Sequence, residues 1–202
     1  MKARAGARYN DFSIAAHHAA TTSLTPVFPL WRHCCLAALA LAAAAALQAQ
    51  TAQDLREVEK LFRGGDTTVA MQRADKAIAE RPRDASMRFL RAVMLTELQR
   101  TAEAIDALNK LIEDFPDLPE PYNNLAVLLA AQGRIDAARE LLETALRHDP
   151  GYAVAHENLG DVFVRLALRA FERANSSRSD ESLQRKLRLT RELAGTRPNA
   201  RP

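Results

Sequence analysis

The chain is predicted to be all-α, a short solenoid of stacked helical hairpins, and three observations carry that prediction. Pro82, Pro116 and Pro150 stand at a constant spacing of 34 residues. The positions ahead of each proline recur in kind at matching offsets, with small residues at Ala70, Ala104 and Ala138 and apolar ones at Ala74, Leu108 and Leu142. Within each block the apolar residues also lie three and four apart, which places them on one face of a helix. A period of roughly 20–50 residues marks a repeat architecture in which each unit buries its apolar face on its neighbours.

The first element in chain order is an expected leader, residues 1–49. Cys34 to Leu47 is a run of 14 residues, all Ala, Leu or Cys, preceded by Arg32 and His33 and followed by Gln48, Ala49 and Gln50. That length suits the apolar region of a secretory signal peptide and falls short of the roughly 18–20 residues that span a bilayer. Cleavage after Ala49 is expected to release a periplasmic protein with no stable membrane span. An uncleaved signal would tether it to the inner membrane, and an Ala-rich core helix is the structural alternative. The polar stretch from Met1 to Pro26 is untypical of a bacterial signal, so translation is expected to start near Val27 or Leu24. Cys34 and Cys35 open the apolar run, unlike a lipoprotein cysteine, which follows it. Both cysteines and the single tryptophan, Trp31, lie in this segment, so residues 50–202 form no disulfide of their own. That is compatible with an oxidising compartment.

Three hairpin units follow, at 51–84, 85–118 and 119–152. Their first helices carry Val58, Ala92 and Ala126 in one column and Leu61, Leu95 and Leu129 in another. Gly65, Gln99 and Gly133 stand where the turn between two helices needs a left-handed backbone, which glycine adopts without a Cβ penalty. Thr67 and Thr101 begin the second helices and are expected to cap them through their hydroxyls, with Asp136 complementing the dipole in the third unit. Ala77, Leu111 and Ala145 complete the apolar face of each second helix. Alanine at a crossing lets paired helices approach toward the lower end of the roughly 8–10 Å range. Proline then ends each unit, because it cannot extend the hydrogen-bond ladder and restricts the residue before it.

A fourth unit, 153–174, starts in register with His156, Leu159, Gly160 and Phe163 and then breaks. Its second-helix match returns only if five residues are missing, as Ala167, Phe171 and Ala174, and such a deletion removes the turn. Leu159, Val162, Phe163, Leu166, Ala167, Ala170, Phe171 and Ala174 form an unbroken helical stripe. One long helix over about Ala153–Ala174 is therefore expected. A Ser-rich loop, Asn175 to Ser179, and an amphipathic helix over about 180–194, stopped by Gly195, should follow it. Leu183, Leu187 and Ala194 would face the stack while Arg185, Lys186, Arg188 and Arg191 face water, either as a solvated cap or as a basic docking face. Thr196 to Pro202 is expected to be a disordered tail.

The residues now support a resemblance. From Pro119 to Pro150, Tyr122, Leu125, Ala126, Leu129, Ala138, Leu142, Ala145 and Pro150 fall in the signature slots of a tetratricopeptide repeat. The second unit departs at Arg91, where leucine is usual, although Phe89 and Leu90 adjoin it. The first is weaker, with Ala74 in a normally large slot. The segment from about Thr51 to Ala174 thus resembles the tetratricopeptide-repeat family, and in particular its small exported proteobacterial members. The resemblance implies three repeat hairpins plus a long fourth-unit helix and a C-terminal capping helix. It also implies a non-enzymatic scaffold or adaptor of the bacterial cell envelope, binding a protein or peptide segment on the concave surface. Transferred by column, the groove residues are Leu55, Glu59, Phe89, Val93, Asn123, Val127, Glu157 and Asp161. Asn123 would fix a backbone amide, and Phe89, Val93 and Val127 would take apolar side chains, unless Phe89 and Val127 pack against neighbouring units. The carboxylates at Glu59, Glu157 and Asp161 disfavour an anionic C-terminus and favour a basic or apolar segment.

Charge and chemistry narrow the function class further. Residues 50–202 carry 24 basic and 24 acidic side chains, so a basic pI for the whole chain gives no support to nucleic-acid binding. Residues 50–164 hold 14 basic and 20 acidic side chains, and residues 165–202 hold 10 and 4. This polarity can steer partners, or let the basic end of one copy dock into the acidic groove of another as a homo-oligomer. His148 and His156 are the only imidazoles after the leader, and neither has a second ligand at metal spacing. No cofactor motif, metal site or catalytic constellation is expected.

Overall fold

The protein's structure, a computed structural model, describes residues 48–178 and 180–195. The leader, apart from residues 48 and 49, and the expected tail from Thr196 lie outside the described residues. Among the described residues there are helices and no strand: α1 (48–63), α2 (Thr67–Glu80), α3 (Ala85–Glu97), α4 (Thr101–Asp114), α5 (Pro119–Ala131), α6 (Ile135–His148), α7 (Ala153–Ser177) and α8 (Glu181–Gly195). Helices α1/α2, α3/α4 and α5/α6 are the three hairpins. The fold is an all-α solenoid.

The same turn closes each hairpin. Gly65, Gln99 and Gly133 have φ of 91°, 58° and 79°. Each donates its N–H three residues back, and the next residue donates five back: Asp66 to Leu61, Arg100 to Leu95 and Arg134 to Leu129. These bonds satisfy carbonyls that the helix end would otherwise leave open. The threonines do not cap as expected. Thr67 and Thr101 are the first helical residues, and neither α2 nor α4 has a side-chain cap. Asp66 and Arg100 occupy the capping positions as part of the closing turns, which leaves the hydroxyls one residue too far along. At the other end of each unit, Arg81, Phe115 and Asp149 precede proline and leave helical geometry, with φ of −133°, −139° and −132°.

One column ties each unit to its predecessor. Arg88, Tyr122 and His156 each bond the carbonyl of the proline six residues back, at Pro82, Pro116 and Pro150. Arg88 also lies over Phe115, and Tyr122 stacks on His148 at 5.5 Å. Both histidines are thereby engaged in structural contacts. Arg91, the departure from the repeat pattern, donates to Asp75 at 2.6 Å, so its charge is met by the preceding unit.

The core follows the alanine and leucine columns. Ala92, Ala104, Ala126, Ala138 and Ala145 are fully buried, with Leu95, Leu108 and Leu142 filling the space beside them. The long helix α7 replaces a fourth hairpin and runs on to Ser177. The connection to α8 is therefore shorter than the expected 175–179 loop. Gln184 of α8 donates to the Asn175 side chain at 2.7 Å, and the Ser176 hydroxyl donates back to the Arg173 carbonyl within α7. Asp180 accepts from the Leu183 N–H at 2.9 Å and caps α8. Leu183, Leu187 and Thr190 of α8 are buried, while Arg185, Lys186, Arg188 and Arg191 are exposed.

Candidate functional site

The first helices α1, α3 and α5 line one side of the stack, and their unburied columns shape an open cleft. The cleft has a volume of about 470 Å³ and is lined by Leu55, Phe62, Phe89, Leu90 and Val93, with Leu118 and Pro121 at its α5 end. Its carboxylates are Glu59, Glu97 and Glu120, and Arg63 stands beside Glu59. Four of the eight residues read from the sequence, Leu55, Glu59, Phe89 and Val93, thus meet in one cavity. Phe89 also packs partly against the core, which fixes its ring as one wall.

The other four do not line this cavity. Asn123 corrects the sequence reading most clearly. It is 4 % exposed, and its Oδ1 accepts from the Asn158 side chain on α7 at 2.8 Å. Helix α7 lies over it, and the bond offsets the cost of burying the amide. Val127 is half-buried, and Glu157 and Asp161 lie on α7, the first exposed and the second half-buried. Phe62, Leu90, Glu97 and Glu120 were missed. Phe62 stands seven residues after Leu55 and three after Glu59, so helical spacing alone places it beside them.

Electrostatically the cleft is mixed. Arg63 bonds Glu59 at 2.5 Å and offsets its charge, which leaves Glu97 and Glu120 as the carboxylates that set the sign at the rim. Outside the cleft lining, burial pushes the Tyr152 phenol up, with Glu120 and Asp149 adding to the effect. Such a cleft can take apolar side chains in its floor and a cation at its rim. Among the described residues no group of three or more His, Cys, Asp and Glu is arranged to hold a metal ion. No described helix is long and apolar enough to cross a membrane.

Comparison with known proteins matches this geometry to a repeat family. One tetratricopeptide-repeat family model matches residues 55–119, and a second matches 119–152. Among solved structures, the first such domain of Spaghetti (RPAP3), bound to the HSP90 peptide SRMEEVD, superposes with a TM-score of 0.52 at 19 % identity, covering 56 % of this chain and 90 % of that one. MamA gives 0.51 at 20 % identity, over 67 % of this chain and 82 % of its own. A thermophilic repeat protein of Thermus thermophilus gives 0.51 at 21 % identity, over 71 % and 82 %. At these identities the structural likeness establishes the fold. The two matched segments show that residues 55–152 are built of tetratricopeptide repeats.

Proposed function

We propose that the protein is a non-enzymatic adaptor of the bacterial cell envelope that holds a segment of a partner protein in the cleft between α1, α3 and α5. The observation that supports this most is the cleft itself, with an apolar floor of Leu55, Phe62, Phe89 and Val93 under a rim carrying Glu97 and Glu120. Apolar anchors fill such a floor, and lysine or arginine beside them pairs with the rim, the usual division of labour in peptide recognition. The peptide SRMEEVD, seen with the Spaghetti domain, brings three acidic side chains. It fits this rim poorly. The placement in the envelope rests on the apolar run at 34–47 and its short length.

The alternative, in which the basic C-terminal end docks into the acidic groove of another copy, is weakened by internal pairing. Arg169 bonds Asp136, Arg191 bonds Glu172, and Arg178 and Arg185 pair with Asp180 and Glu181. A photocrosslinking residue at Val93, introduced in cells, should trap one defined partner, and the adduct should fade when Glu97 and Glu120 are both made lysine. Adducts of equal intensity from the outer helix α4 would count against the cleft. Fractionation of the same cells tests the export signal, and a full-length cytosolic product would refute it.

A further inference from the structure

The side of the stack that carries the cleft changes chemistry along its length. In two columns of the repeat, apolar residues on the earlier helices give way to carboxylates on α7: Leu55 and Phe89 to Glu157, and Val93 and Val127 to Asp161. Glu97 and Glu120 stand between these ends, in the cleft lining. Glu59, at the apolar end, is answered by Arg63. The groove is therefore apolar where α1 and α3 line it and acidic where it passes onto α7.

Pairing sets four of these carboxylates apart from the rest. Asp75, Asp106 and Asp136 of the outer helices meet Arg91, Lys110 and Arg169. Among the described residues no cation pairs with Glu97, Glu120, Glu157 or Asp161. Arg165, one turn beyond Asp161, donates instead to the Ala130 carbonyl of α5. Unpaired negative charge beside an apolar groove selects a cationic occupant with apolar anchors. It repels phosphate, and with it nucleic acid and anionic lipid.

Spacing gives the form of that occupant. The Asn158 side chain reaches Asn123 at 2.8 Å, so α5 and α7 are in direct contact, with axes about 8–10 Å apart. An extended chain advances about 3.3 Å per residue and crosses one such helix in about three residues. Resting on the adaptor reading above, we propose that the groove holds an extended partner segment of about nine residues. Its apolar side chains lie over α1 and α3, one lysine or arginine meets Glu97 and Glu120, and a second, about three residues further on, meets Glu157 and Asp161. A second copy offers no such segment among its described residues, where the connections between helices run three or four residues.

The test titrates the full chain with fluorescein-labelled peptides and reads anisotropy. The probe has leucine and phenylalanine at its first and third positions, arginine at its sixth and ninth, and serine elsewhere. Its reversed sequence is measured as well, and the tighter of the two is carried forward. Saturable binding is expected, weakened at least about tenfold when Glu157 and Asp161 are both made lysine. Glu157→Gln with Asp161→Asn should weaken it less, with melting curves confirming that both variants fold. A probe with its two arginines adjacent should also bind more weakly. Loss of binding on Glu97→Lys with Glu120→Lys, but not on the α7 substitutions, leaves the cleft reading standing and overturns the extension onto α7. Equal binding of the adjacent-arginine probe overturns it too. Absence of saturable binding at millimolar probe does the same, while the crosslink from Val93 judges the cleft independently. A dimer of the unaltered chain, seen by light scattering and dissolved by the two α7 lysines, would assign the groove to a second copy and refute the partner segment.

Discussion

Leu129 and Phe163 occupy one column of the repeat and live in opposite surroundings, the first buried under α6 and the second half in solvent. The difference begins with the turn. Gly133 reverses the chain after α5 and brings Ala138, Leu142 and Ala145 back over it. At the matching place in the fourth unit the turn is missing, and α7 runs unbroken from Ala153 to Ser177, 25 residues in all. A first-helix pattern therefore does not guarantee that its face is covered. The turn decides that, and a deletion of a few residues changes a closed hairpin into a single open helix.

Deleting side chains from the two regions should separate them most widely. Leu95→Ala, at a fully buried site, is expected to cost about 2–5 kcal/mol. Phe163→Ala should cost less than about 1 kcal/mol, since half of the ring is already in water. Urea unfolding followed by circular dichroism reads both, and similar losses would mean that the two columns share one environment.

The turns give an intermediate effect. Gly133→Ala forces a Cβ into left-handed backbone at φ 79° and is expected to cost about 1–2 kcal/mol. Gln99→Gly, at φ 58°, should raise the melting temperature by relieving the same penalty. A melting curve for each variant checks the opposite signs.

The smallest effect concerns the link between the regions. The hydrogen bond from Arg169 of α7 holds the Asp136 carboxyl of α6 below the ordinary carboxylate range, against a smaller opposing effect of desolvation. A carboxyl with a depressed folded pKa contributes stability that is present above its unfolded pKa and is lost as the pH falls through the folded one. Melting temperatures measured downward from pH 5 should therefore fall less steeply in Asp136→Asn than in the unaltered chain. The pair is exposed, so the difference is expected to be small.

Much of this was legible in the chain. The 34-residue prolines, the alanine crossings and the left-handed turn positions each express a local constraint, and local constraints can be read from spacing. The loss of the fourth turn was legible for the same reason. Asn123 was not, because its burial depends on Asn158 and on the docking of α7, a contact made one unit further along. The threonine caps failed on a shift of one residue, set by closing bonds that spacing does not reveal. Within the cleft, column transfer found Leu55, Glu59, Phe89 and Val93 but could not show that Arg63 would offset Glu59.

The contrast between a covered and an open unit is tested most directly by placing leucine in one column of both. Ala126→Leu overfills a fully buried site and is expected to cost about 1–3 kcal/mol. Gly160→Leu enters open space and replaces glycine within a helix, so its melting temperature should equal or exceed that of the unaltered chain. Thermal melts of the two variants side by side decide the matter. A Gly160→Leu protein destabilised as much as Ala126→Leu would show that α7 is covered within its own chain, and would contradict the open fourth unit.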